Sequence, residues 1–491
     1  MNAIVIKSIL KKLIILLLWS CMPQLLIGQW VGGTQNERAV GFVQGANQLY
    51  FLANTRSYGA GSEDFWLLKY NENMQRVFQT NWGFLHYDLA TDILYSSDDH
   101  FLVCGYSWDA PGGRTSIVVN KYNKEGDLVW TSYFGGYHND VSFAIKETLD
   151  GSYLITGIDR GYGSLGAVFL VKIDKDGLQR WSRYYDSPHK DVGMDIAICK
   201  DSSLLILAST NAFVGQIANS SEYLSPDAAD LMLIKTDPNG EEQWRRKYGG
   251  SGHDFAQKII TDGKDYFYVF GSSMDNSYGS FDMILQKFDI NGGLIWRKNY
   301  GGSGYEYGNN IDINEAGELL LSGTSSSFSN DENPDIYVVK TDSSGQMLWQ
   351  KTYGGSASDY GKDAQFMSDG NLIVMGSSTS GDANKLDLYI VKTNAAGNII
   401  QHIEAPILPN DLGLEAFPNP THAYVRFKYK GPKGQSKAEF ILYDSKGSVI
   451  QSNTLTDIQQ IIPFKKSLSK GVYLYAVKLD DEFYAGKIII N

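Results

Sequence analysis

The chain has 491 residues, 43% of them hydrophobic, and a formal net charge of −12. That balance excludes the basic footprint of a nucleic-acid binder. Three cysteines cannot staple a fold of this size, so stability must come from a large apolar core.

In chain order, Lys7, Lys11 and Lys12 precede an apolar run, Leu13 to Trp19, and a small residue follows at Gly28. This pattern predicts a secretory signal peptide over 1–28, with cleavage after Gly28 leaving Gln29 at the new N-terminus. The rival reading is a lipoprotein signal lipidated at Cys21, against which the bulky Trp19 speaks. No later segment approaches eighteen apolar residues, so no integral membrane segment is expected after signal removal. Cys104 and Cys199 then remain, both inside apolar strand-like runs, and are expected as buried free thiols.

Residues 29–401 repeat one unit seven times. Lys69, Lys121, Lys172, Lys235, Lys287, Lys340 and Lys392 lie 52, 51, 63, 52, 53 and 52 residues apart. Nine residues after each comes an aromatic slot: Phe78, Trp130, Trp181, Trp244, Trp296 and Trp349, fading at Gln401. Short runs of β-branched and aromatic residues between Gly and Asn/Asp clusters read as strands, four per unit. The third and fourth are joined by Asp/Asn-x-x-Gly, as at Asp174–Gly177 and Asp342–Gly345, which suits a type I turn ending in a glycine of positive φ. Four strands every 52 residues, seven times, predicts a seven-bladed β-propeller. The aromatic slot should pack between blades as core, where Trp→Ala would cost roughly 3–5 kcal/mol. The 63-residue step places an insertion near 211–230, in a surface loop of the fourth blade.

Three recurring features are candidates for chemistry. An acid follows the corner of each unit, which is Gly-Gly in five of the seven: Glu37, Asp88, Asp140, Asp191, Asp254, Glu306 and Asp359. Related by a ring, these could hold a cation such as calcium; alternatively, each accepts N–H bonds from its own corner or pairs with a repeat lysine. Histidines accompany four of them, at His86, His138, His189 and His253, but ligands of one ion must converge to about 2 Å from it, and no metal site is expected. Aromatics sit in the loop between second and third strands: Tyr58, Trp108, Tyr162, Phe213, Tyr278 and Phe328. Set among Ser, Asn and Gly, such rings offer stacking faces to a sugar or a peptide. No nucleophile elbow, phosphate loop or zinc motif occurs, so no catalytic residue is assigned.

A linker is expected at 402–411, and the composition then changes. Residues 29–411 carry a net charge of −19, whereas 412–491 carry +4. Here stand Phe417-Pro418-Asn419-Pro420, then Tyr443-Asp444-Ser-Lys-Gly447, then Leu468-Ser-Lys-Gly471-Val-Tyr473, then Gly486-Lys487-Ile-Ile-Ile490. Pro-Asn-Pro forces an extended entry, and the rest reads as strands of a small Ig-like β-sandwich. In order and spacing, 412–491 resembles the C-terminal sorting domain of cargo exported by the type IX (Por) secretion system of Bacteroidota. It departs at Asn491, where the family often ends in a basic residue. The repeats likewise resemble Trp/Tyr-Gly-Gly-Asp type propeller repeats of secreted bacterial proteins, a group without one activity.

The resemblance implies passage through the periplasm, handling by the type IX machinery, and release or attachment at the outer-membrane cell surface. The expectation is a non-catalytic binding or adhesion module for a glycan or protein ligand. The alternatives are a structural surface scaffold and a polysaccharide hydrolase.

Overall fold

The computed structural model describes residues 29–45, 48–108, 115–135, 138–161, 165–211, 229–329, 333–381 and 385–402. In the C-terminal part it describes 414–417, 424–429, 438–443, 449–455, 462–464, 468, 471–479 and 482–490. Two compact units divide between Glu404 and Ala405. Every regular element among the described residues is a strand.

The first unit is a seven-bladed β-propeller. Blades 1 to 6 span 37–82, 88–134, 141–185, 191–248, 254–300 and 306–353, and each is a four-stranded antiparallel meander in chain order. Each blade's first strand is innermost and lies beside the first strand of the next blade; Asp359–Phe366 of blade 7 returns to Glu37–Gly45 of blade 1. The Asp363 carboxylate seals that junction by accepting the Phe42 N–H at 3.1 Å. Second and third strands are buried almost throughout, as in Leu319–Ser325 and Asp335–Thr341, because neighbouring blades cover both faces.

Blade 7 takes its fourth strand from both ends of the unit. Asp387–Thr393 pairs with Ile399–His402 and with Gln29–Val31. By register, Trp30-Val31-Gly32-Gly33 occupies the place that Thr352-Tyr353-Gly354-Gly355 occupies in blade 6. Trp30 donates its indole N–H to the Ser378 hydroxyl at 2.5 Å and tilts over Tyr389. His402 pairs with Val391, so the sheet runs one residue into the stretch expected as linker.

The lysine and the residue nine later are cross-strand neighbours in all seven blades, aromatic in six, from Lys69 with Phe78 to Lys392 with Gln401. A one-residue bulge follows each lysine, and the Asx-x-x-Gly turn closes the hairpin. Gly345 has φ +75° and donates its N–H to the Asp342 carbonyl. In blade 1 this position is Met74, at φ +56° and buried.

The aromatic slot differs from the expectation of full burial. Phe78 and the five tryptophans are half-buried, because the fourth strand is the outermost and exposes its first residues. Each ring leans on the hairpin of the next blade. Trp130 donates to the Lys175 carbonyl at 3.1 Å and Trp349 to that of Ala395 at 3.2 Å. The repeat lysines tie the same edge: Lys121 reaches Asp98 at 2.6 Å and Lys392 reaches Asp369 at 2.7 Å. Cys104 and Cys199 are buried free thiols. The connection expected to hold the insertion runs from Thr210 to Asp230, and 212–228 lie outside the described residues.

The second unit forms two sheets. Tyr424–Tyr429 pairs with Leu414–Phe417 and Ile462–Pro463; the other runs Val449–Leu455, Ala438–Tyr443, Gly471–Leu479, Glu482–Ile490. Phe440, Leu442, Ile462 and Tyr475 are buried within it.

Two outcomes are expected in urea unfolding. Gly345→Ala forces an L-residue to φ +75° with its Cβ 2.8 Å from Trp296, and should lower stability by about 1–3 kcal/mol. Trp30→Ala opens the closing strand and should cost about 2–3 kcal/mol, less than a fully buried tryptophan; an unchanged midpoint would mean that the N-terminal strand does not close the ring.

Candidate functional site

The seven corner acids stand at the head of the innermost strands and are 0–5% exposed. Five fold back on their own corners, each accepting the N–H four residues earlier: Glu37 from Gly33, Asp88 from Phe84, Asp254 from Gly250, Glu306 from Gly302 and Asp359 from Gly355, at 2.6–3.3 Å. Asp140 takes the Arg160 N–H at 3.0 Å. Hydroxyls ending the second strand add to this, Thr55 to Glu37 and Ser325 to Glu306. Among the described residues no three His, Cys, Asp or Glu side chains gather as a metal site. His253 accepts the Ala229 N–H through Nδ1, and burial lowers its pKa.

Five of the seven corners have a second acid that the sequence reading did not single out; the equivalent positions in blades 2 and 3 are Ser116 and Ala167. Asp64, Asp230, Asp282, Asp335 and Asp387 open third strands, five residues before the repeat lysine; that fixed spacing was the available signal. A Cβ on Gly301 would lie 2.3 Å from Asp282 Oδ1 and 2.4 Å from Glu306 Oε2, so both carboxyls point at one bare glycine. Burial, with Asp387 nearby, lifts Glu37 to about 7; burial, with Asp88 nearby, lifts Asp64 to about 6. Burial lifts Asp254 to about 6 as well. Lys385 answers Asp387 at 3.0 Å and Arg297 lies 3.7 Å from Asp254.

The loop aromatics divide. Tyr58 packs on Trp66 and donates to the Gly32 carbonyl, and Phe328 packs on Tyr337. Trp108 and Tyr278 are 53% and 72% exposed. Tyr162 and Phe213 lie outside the described residues. Two corners depart from the Gly-Gly pattern, the one between blades 1 and 2 and Asp186-Ser187-Pro188-His189-Lys190 between blades 3 and 4. In the first, Gly83-Phe84-Leu85-His86-Tyr87 takes its place, and Phe84, Leu85 and Tyr87 are exposed beside Trp108. Tyr87 and Trp108 meet edge to face at 6.2 Å, and the Trp108 N–H donates to the Tyr87 carbonyl. The broken repeat was the signal for these residues.

Deeper along the axis the innermost strands carry charge. Lys258 of blade 5 reaches across to Asp92 of blade 2 at 3.7 Å and to Asp195 of blade 4 at 3.9 Å; Lys146 meets Asp195 at 3.3 Å. Burial opposes the Lys258 charge, but Asp195, Asp92 and Asp363 outweigh it and raise its pKa. Asp92 and Asp195 also accept the N–H groups of Ile145 and Ile259 from following blades. These contacts brace the ring from inside.

The corner pairs set a pH dependence. An acid whose folded pKa is raised keeps its proton better when folded, so its stabilising share is full below the unfolded value and is lost as pH rises through the folded one. Glu37, Asp64 and Asp254 should therefore make the chain less stable at pH 8 than at pH 5. Glu37 alone should contribute on the order of 1–2 kcal/mol after allowance for screening. Urea midpoints across pH 5–8 should fall, and Glu37→Gln should flatten the slope; a rise with pH would contradict the assignment.

Residues 415–491 match the family model of the secretion system C-terminal sorting domain. In that stretch Gly471 and Tyr473 lie on one strand and Lys487 on its partner; Pro418, Asn419, Pro420 and Gly447 lie outside the described residues. No curated protein matches the chain. Among solved structures it is similar to the β-propeller domain of the Trilobed protease from Pyrococcus furiosus, at 9% identity over 78% of this chain and 98% of that one, TM-score 0.43. It is also similar to the Pyrococcus horikoshii acylaminoacyl peptidase, at 9% identity over 83% of this chain and 60% of that one, TM-score 0.44. A puromycin hydrolase follows, at 10% identity over 83% and 58%, TM-score 0.45. This chain thus spans about 60% of the length of those two enzymes. No helix among the described residues is long and apolar enough to cross a membrane. The chain is a seven-bladed β-propeller that carries a secretion system C-terminal sorting domain at 415–491, the tag of type IX export to the cell surface or medium.

Proposed function

We propose that the propeller is a non-catalytic binding module, exported through the periplasm, whose corner-loop face holds a surface glycan. The observation that carries this is the corner of Phe84, Leu85 and Tyr87 with Trp108. There the repeat gives up its tight Gly-Gly turn and sets apolar faces in water. Exposing such rings is unfavourable unless a ligand covers them, and a pyranose ring matches them with its C–H face while polar neighbours fix its orientation. Tyr278, held by its own N–H on Asp282, offers another ring on blade 5. Signal cleavage after Gly28 fits the same reading, since it would leave Gln29 as the first residue of the closing strand.

The hydrolase alternative finds less support. The paired corner carboxyls Asp64 with Asp88 and Asp282 with Glu306 are 0–1% exposed under the corner backbone, where a glycosidic bond has no approach. The scaffold alternative has one observation in its favour. Aliphatic pairs at the start of outer strands, Leu128 with Val129 and Leu294 with Ile295, are exposed on the rim and suit a protein partner.

A glycan-array screen of the purified chain, repeated with calcium and with chelator, should give reproducible hits. Tyr87→Ala and Trp108→Ala should each weaken the best hit about tenfold, roughly 1.4 kcal/mol, with the thermal midpoint unchanged. Unaltered binding by both variants would overturn the assignment of this corner; a blank array would favour the rim and a protein partner.

A further inference from the structure

A strand at the edge of a sheet leaves every second N–H and C=O without a partner, and proteins blunt such edges with charge, proline or shortness. Each blade ends in one such strand, because the fourth strand pairs only with the third. Most of these edges carry cations. Arg76–Trp82 holds Arg76, Gln179–Tyr185 holds Arg180 and Arg183, and Glu242–Tyr248 holds Arg245, Arg246 and Lys247. Leu294–Tyr300 holds Arg297 and Lys298, and Met347–Tyr353 holds Lys351. In blade 7 the edge is two pieces of four and three residues, too short to act as a template.

Among the described outer strands, that of blade 2 alone has none of these defences. Leu128–Phe134 reads Leu-Val-Trp-Thr-Ser-Tyr-Phe, seven residues without charge, proline or glycine and rich in strand formers. Leu128 and Val129 open it at 46% and 51% exposure. The bulge after Lys121 lies ahead of Trp130, so Trp130 to Phe134 run in regular register with Lys121 to Ile117. Side chains fix this stretch within the propeller. Trp130 and Ser132 donate to the Lys175 and Gly177 carbonyls of blade 3 at 3.1 and 2.8 Å, and Thr131 donates to Asn120 at 2.8 Å. The strand is therefore rigid, uncharged and open along its outer backbone.

We propose that this edge is where two copies of the chain pair, their Leu128–Phe134 strands running antiparallel about a two-fold axis and joining two four-stranded blades into one sheet. The strand is complementary to itself. With the axis at Ser132, Trp130 stands opposite Phe134 and Thr131 opposite Tyr133; with the axis at Thr131, Leu128 meets Phe134 and Val129 meets Tyr133. Both registers set aromatic and aliphatic or β-branched side chains across from one another and no charge against its own copy. Glu242–Tyr248 or Leu294–Tyr300, turned on its copy in the same way, would bring arginines together. A two-fold contact also closes on itself and stops at the dimer. One strand pair buries little area, so the dimer is weak and depends on concentration. The inference is independent of glycan binding and leaves the Tyr87–Trp108 corner unused.

The test is sedimentation velocity of the full chain over a range of concentrations, with hydrogen exchange on the same samples. The chain should pass from monomer to dimer as concentration rises, and the Trp130 to Phe134 amides should gain protection in step. Salt should strengthen the dimer, because screening relieves the repulsion between two propellers of net −19. Thr131→Arg copies Arg245 and Arg297, which the fold accepts at the same position of blades 4 and 5, and should weaken dimerisation at least tenfold. Val129→Arg copies Arg180 of blade 3, spares the Thr131–Asn120 bond and should act in the same direction. Ile295→Lys, at the equivalent exposed position of blade 5, should change nothing. Thermal melts of each variant verify folding. A monomer at every concentration overturns the inference. So does a dimer that survives both arginine variants, or one that Ile295→Lys dissociates equally well.

Discussion

Blades 3 to 6 are each held to the next by one small contact at the end of the outer strand, where blades 1 and 2 carry Trp82 and Phe134 instead. At that contact a tyrosine hydroxyl donates to the carbonyl of the hairpin glycine in the following blade: Tyr185 to Gly240, Tyr300 to Gly345 and Tyr353 to Gly397, at 2.7–2.8 Å. The glycine lets the turn close with positive φ, and its missing Cβ makes room for the tryptophan of the blade before it. In those four blades lysine, tryptophan, tyrosine and the next blade's glycine are thus parts of one joint. At the seam the joint changes character. Val31 stands in the tyrosine position and Met74 in the glycine position, and the two share a core cluster with Leu388 and Ile390. The ring closes there on apolar contact, which suits an N-terminal strand only three residues long.

The repeat was readable because its determinants are local. A bulge and a turn of fixed length place Trp nine residues after Lys, so the spacing reports a cross-strand pair whatever surrounds it. Burial was less readable, because the same tryptophan would be core in an inner strand and is half-buried in an outer one; strand order, a tertiary property, decides. The Gln29–Val31 strand was hidden for a related reason. It is half of a unit whose other half ends near His402, some 370 residues later, and neither half carries the full spacing. The corner acids gave the opposite difficulty. Of seven acids at equivalent sites, five turn into their own corner backbone, since an unpaired N–H in a buried corner is costly.

Function, on this view, is written in the positions where the repeat departs from itself. Residues common to all blades build the joint and the corner, and substituting them perturbs the fold. The residue after the corner acid varies from blade to blade: Val141 and Val192 pack into the core in blades 3 and 4, Arg38 is exposed in blade 1, and Tyr307 of blade 6 meets Phe281 of blade 5. The fifth residue of the same strands varies as freely, and there the chain places Asp92, Asp195 and Lys258 so that charges cancel across the axis.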